Sequence, residues 1–121
     1  NVNKITLDEH MMWFNKKMAD PYSFLLVCYY SGVPLGQVRL DKITDSDDYE
    51  IDISVDKSFR SKGVSVSMLT SALNYAYCMR GYSNFIANVK PENTSSCKMF
   101  LKACFTEIEE FPNLFFKYHM E

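Results

Sequence analysis

Apolar and polar residues alternate strictly over residues 49–55, with Tyr49, Ile51, Ile53 and Val55 on one face and Glu50, Asp52 and Ser54 on the other. A period of two predicts a strand with one buried face. Two earlier apolar runs, FLLVCYY (24–30) and LGQVRLD (35–41), flank Ser31-Gly32-Val33-Pro34 and predict a hairpin. Downstream the period lengthens. Met68, Leu69, Ala72, Leu73, Ala76 and Met79 recur at helical spacing and stop at Gly81, a residue suited to a helix C-terminus. SNFIANV (83–89) is apolar enough for a buried strand, and Asn93 can cap a short helix that turns Phe100 and Leu101 inward. FTEIEEF and LFFKYHM then predict a closing hairpin about Pro112-Asn113. At the other end, Thr6-Leu7-Asp8-Glu9 has the form of a capping box. Leu7, Met11, Phe14 and Met18 follow at helical spacing until Asp20-Pro21 stops the pattern.

The predicted order is helix, three strands, helix, strand, helix, two strands. A strand–helix–strand crossover in the middle requires a mixed sheet, so the fold class is α/β (α+β) with helices packed on the sheet faces. With 121 residues, 47% of them apolar and 15% aromatic, the chain suits one packed domain over 1–121. It opens abruptly at Asn1, close to a predicted helix start, so a further N-terminal segment is expected.

A net charge of −2 argues against a basic surface for nucleic acid. The four cysteines, Cys28, Cys78, Cys97 and Cys104, lack metal-type spacing, and Cys28 and Cys78 read as buried thiols. His10 and His119 likewise show no ligand spacing, so no metal is expected. Neither a membrane-length apolar stretch nor a signal peptide is visible, which makes a reducing cytoplasm the expected location.

One loop stands out chemically. Between the alternating strand and the central helix lie Arg60, Ser61, Lys62, Gly63, Val64 and Ser65. A helix N-terminus presents backbone N–H groups without intrahelical partners, and small residues let an anion approach them. The loop therefore reads either as a phosphate seat or as a polar connection with an ordinary cap.

Two segments carry a family likeness. VDKSFRSKGVS resembles the acyl-CoA-binding signature of the GNAT N-acetyltransferases, R/Q-x-x-G-x-G/A directly after an alternating strand. VKPENTSSCKMFLKACF resembles that superfamily's later segment, V-x-x-x-N-x-x-S-x-x-x-F/Y-x-K-x-G-F, and the spacing between the two also matches. The likeness covers nearly the whole chain from Ile5, with the superfamily's first strand expected to precede it. It implies a mostly antiparallel mixed sheet, helices on both faces and a central β-α-β unit that binds acyl-CoA. It further implies acetyl-CoA as co-substrate, its pyrophosphate seated by residues 60–65. Its pantetheine arm would pair with the strand edge at Ile53, Ser54 and Val55, beside a parallel strand that splays away. Asn93 would bond the pantetheine arm, with Ser96 and Phe100 near the cofactor.

Three residues depart from the pattern. Ser65 stands in place of Gly or Ala, and Cys104 replaces a glycine, at some strain if its φ is positive. Phe100 occupies the place of a tyrosine that protonates the leaving thiolate in many members. The general acid is then water, another residue such as Tyr75 or Tyr118, or absent.

An attacking amine must lose a proton. Glu50, on the polar face of the strand leading to the loop, is the candidate base by likeness to catalytic glutamates in the superfamily, with Asp52 next. The alternative is a solvated strand face. The first helix and GVPLGQVRL also resemble the branch containing ribosomal-protein and nucleotide-aminosugar acetyltransferases. There His10 and Trp13 would share a helix face on the acceptor side, the alternative being that Trp13 simply packs. The implied activity is acetyl transfer to a primary amine, an amino-sugar nucleotide before a protein N-terminus. A non-catalytic acyl-CoA-binding module is the competing class. Expected partners are acetyl-CoA and a small amine, with a homodimer as the candidate assembly and neither nucleic acid nor membrane. A nucleotide kinase is disfavoured because the loop lacks G-x-x-x-x-G-K-[ST] spacing.

Overall fold

The computed structural model describes residues 11–16, 18–60, 63–110 and 112–121. In chain order the elements are β1 (Met11–Lys16), β2 (Ser23–Tyr30), β3 (Val33–Lys42), β4 (Asp48–Val55), α1 (Val64–Arg80), β5 (Asn84–Val89), α2 (Thr94–Lys102), β6 (Thr106–Glu110) and β7 (Asn113–His119). A 3₁₀ turn, Lys57–Phe59, joins β4 to the loop before α1. The strands form one seven-stranded sheet in the order β1-β2-β3-β4-β5-β7-β6. Among the described residues β4 and β5 form the only parallel pair, and α1 supplies the crossover that parallel strands need.

Side-chain alternation sorts the sheet into a buried and an open face. Phe24, Leu26, Val38, Leu40, Ile51, Phe85, Ala87 and Phe116 point to one side and meet Met68, Leu69, Ala72, Leu73 and Ala76 of α1 and Met99 and Phe100 of α2. Both described helices therefore share that face. Phe100 stacks on Phe116 at 5.7 Å between ring centroids and meets the edge of Phe105 at 5.0 Å. Glu50, Asp52 and Ser54 lie on the opposite side.

The strands and both later helices fall where the hydrophobic pattern predicts them, but the first helix does not. Residues 11–16 form a strand antiparallel to β2, from Met11↔Tyr30 to Lys16↔Leu25, while the capping box lies outside the described residues. The run MMWF is continuously apolar, so it satisfies either period, and the hydrogen-bonding edge of β2 decides. Met11 and Trp13 turn toward the helices, whereas Met12 and Phe14 are 62% and 56% exposed. Trp13 donates its Nε1–H to Ser71 Oγ on α1 at 2.8 Å and lies tilted against Tyr75.

Three burial expectations also fail. Cys78, Met79 and Leu101 are exposed, because the last turn of α1 runs past its final buried residue, Ala76, and because α2 turns Phe100 rather than Leu101 to the sheet. Cys28 is fully buried as expected, and burial pushes its thiol up to about 12. Cys104 adopts φ +71°, the left-handed conformation that the glycine in the family pattern would take without strain.

Gly36 permits the close approach of β3 to β4. A Cβ there would stand 2.2 Å from the Ser54 carbonyl oxygen and 3.1 Å from the end of the Met68 side chain. Backbone cannot yield cheaply, so Gly36→Ala should cost about 1–3 kcal/mol, the usual penalty of overpacking. Urea unfolding checks this; a midpoint unchanged from the parent protein would show that the strands can separate freely.

Candidate active site

The site is set by which backbone groups of β4 are already engaged. Asp56 N–H donates to Leu35 O at 2.8 Å and Ile43 N–H donates to Asp48 O at 2.9 Å, so even-numbered residues of this stretch bond toward β3. In an antiparallel pair the alternate residues face the other way, and Ile51, Ile53 and Val55 therefore turn N–H and C=O toward β5. The β4–β5 ladder, however, ends at Glu50↔Ile86. Beyond it, β4 offers a strand edge beside an opening.

The loop that follows prepares the end of that edge. Asp56 accepts from Ser58 N–H at 2.9 Å to start the 3₁₀ turn, and Arg60 Nε donates back to Val55 O at 3.1 Å. Gly63 holds φ +71° at the boundary of α1. Among the described residues no side chain caps this helix and no acid sits in its first turn, which leaves its leading amides available to an anion. Val64, buried, anchors the helix start against the core. Across the groove, Asn93 Oδ1 accepts from Ser96 N–H at 3.2 Å and caps α2. That leaves the Asn93 amide NH₂ as the donor available to a ligand.

These elements enclose two adjoining cavities. The larger, about 430 Å³, is lined by Ile53, Ser54, Val55, Phe59, Arg60, Ser65, Asn93, Ser95, Ser96 and Met99, and Arg60 is the only charge there among the described residues. The second, about 280 Å³, lies between Ile51, Asp52 and Ile53 on β4 and Ala87, Asn88 and Val89 on β5. Lys90, Glu92 and Phe100 also line it, and the two cavities share Ile53, Asn93 and Ser96.

Most of the residues singled out in the sequence thus converge. Ser61 and Lys62 lie outside the described residues, as does His10. The two carboxylates separate. Asp52 lines the opening, whereas Glu50 sits at the last paired position, in a depression with Ile43, Ile86, Ile108, Phe115 and Lys117. Trp13 lies on a strand, not a helix, lines neither cavity and is packed on α1. Tyr75 lies against Trp13, and Tyr118 meets Phe105 at 5.3 Å beside a different depression, so no tyrosine lines either cavity. Phe59, Ser95, Met99, Asn88, Lys90 and Glu92 were not anticipated. Ser95 follows the cap residue and was legible in principle, but Asn88, Lys90 and Glu92 gain relevance only from where the strands part. Among the described residues no group of three or more His, Cys, Asp or Glu could hold a metal ion, and no helix is long and apolar enough to cross a membrane.

Sheet order, the α1 crossover and the opening between β4 and β5 make this a GNAT fold. The chain belongs to that family: the model of the Acetyltransferase (GNAT) family matches residues 3–104. Among solved structures it resembles the Campylobacter jejuni N-acetyltransferase PseH in complex with acetyl coenzyme A, with a TM-score of 0.74 at 16% identity, covering 84% of this chain and 71% of that one. The GNAT domain of S. lividans PAT gives 0.72 at 21% identity, over 87% and 65% of the two chains. Spermidine N-acetyltransferase from Vibrio cholerae, in complex with CoA and spermine, gives 0.70 at 18% identity, over 84% and 67%. At these identities the likeness is one of fold. No curated protein matches the chain in sequence.

Proposed function

We propose that this chain, acting as one domain, transfers acetyl from acetyl-CoA to a small primary amine. The observation that carries the reading is the edge of β4 at Ile53 and Val55, beyond its pairing with β5, running toward the N-terminus of α1. An extended, amide-rich pantetheine arm pairs with such an edge as an added strand would. Its pyrophosphate suits the amides at residues 63–65 and the Arg60 charge. Acetyl-CoA supplies an activated thioester as substrate. In the exchange, a C–N bond forms as the C–S bond breaks, one proton leaves nitrogen and one reaches sulfur. Asp52, at the open end of the cavity between the strands, takes the nitrogen's proton directly or through one water. With no tyrosine in either cavity, solvent returns a proton to sulfur.

Among the described residues the acceptor cavity holds Asp52 and Glu92 against Lys90. That balance favours an amine without phosphate charges of its own, and the packing of Trp13 on α1 removes one support for an amino-sugar nucleotide. A second reading, an acyl-CoA-binding module without turnover, draws on Phe100 and the missing tyrosine. The test is thiol release from acetyl-CoA with spermidine, an amino-sugar nucleotide and a peptide α-amine in turn, followed by product mass. Turnover with a small unphosphorylated amine is expected. Acetylation of the amino-sugar nucleotide or peptide alone would overturn the acceptor assignment, and acetyl-CoA binding without turnover on a broad amine panel would support the binding module.

A further inference from the structure

The Arg60 guanidinium lies on the strand edge itself: its Nε–H donates to Val55 O at 3.1 Å. Val55 is one of the odd-numbered residues whose carbonyl turns toward the opening, so this bond occupies an acceptor that the pantetheine arm would use. We propose that Arg60 is a donor-selectivity residue: it covers the end of the pantetheine edge until phosphate draws the guanidinium away. This rests on the acetyl-CoA reading above.

The physics is a competition for one side chain. A guanidinium bonded to a neutral carbonyl at the surface gains modestly, whereas charge-assisted bonds to phosphate oxygens are stronger and better matched to its fork. Val55 and Arg60 both line the larger cavity, so the released side chain remains beside the groove it uncovers. A thioester carried on full CoA brings the phosphates that release the edge. A thioester on bare pantetheine must displace Arg60 with nothing to offer it. The arrangement thus rejects phosphate-free pantetheine thioesters, although these carry the same reactive group.

The variant Arg60→Ala makes opposite predictions for the two donors. Arg60 is exposed, so folding should survive, and circular dichroism verifies it. Affinity for acetyl-CoA, measured by calorimetry, should fall. Affinity for S-acetylpantetheine, measured by ligand-observed NMR, should rise about three- to tenfold, the equivalent of one net hydrogen bond no longer displaced. Arg60→Gln, which keeps a neutral donor, should fall between parent and alanine for both ligands. Unchanged or weaker S-acetylpantetheine binding in Arg60→Ala would overturn the proposal while leaving the acetyl-CoA reading intact. A parent protein that binds no acetyl-CoA would overturn both.

Discussion

Asp52→Asn should lower turnover of the preferred amine about a hundredfold, the usual contribution of a positioned general base, while leaving acetyl-CoA affinity within twofold. Asp52 sits where β4 has left β5 and lines the opening together with Asn88 and Val89. Its cross-strand neighbour Arg39 is engaged with Asp41 at 3.0 Å, so that cation is occupied elsewhere. Glu50→Gln should have a far smaller effect, because Glu50 is held at the last paired rung and lines a separate depression, not the opening beyond it. Steady-state rates at saturating acetyl-CoA, followed across pH, separate the two. A lost base is compensated as rising pH deprotonates the amine in solution, whereas a distorted site is not. Equal and small losses in both variants would return the open face to mere solvation and leave deprotonation to water.

Gly63→Val should weaken acetyl-CoA binding at least tenfold, a loss of about 1.4 kcal/mol. The reason is conformational rather than steric. Nothing lies within 4 Å of a Cβ built on Gly63, but its φ of +71° is one that a β-branched residue resists. Valine would pull the loop toward another conformation and turn the leading amides of α1 away from the groove. Gly63→Ala, less averse to that region, should show a smaller loss. Calorimetry on folded protein decides: unchanged affinity in the valine variant would mean that phosphate is held elsewhere.

The hydrophobic pattern alone was enough for six strands and two helices, because each carries its period in residues that cannot serve the other. Residues 49–55 alternate too strictly for a helix, and the stripe from Met68 to Ala76 fits no strand. The start of α1 after Gly63 and the cap at Asn93 were legible for a similar reason. A helix start and a helix cap are local requirements written in local residues. Cys104 shows the same logic in reverse, since the departure from glycine was visible and the positive φ is there.

Tertiary structure decided everything that depends on which strand edge is free. An apolar run such as MMWF has no period to betray it, so only the edge of β2 makes residues 11–16 a strand and sends Trp13 to Ser71. Glu50 and Asp52 are equivalent in sequence, two apart on one polar face. What separates them is the end of the β4–β5 ladder at Glu50↔Ile86, a property of neither residue. Asn88, Lys90 and Glu92 matter for the same reason: a strand's residues say how it will pleat, but hydrogen bonds to a partner strand decide where pairing stops and a cavity begins.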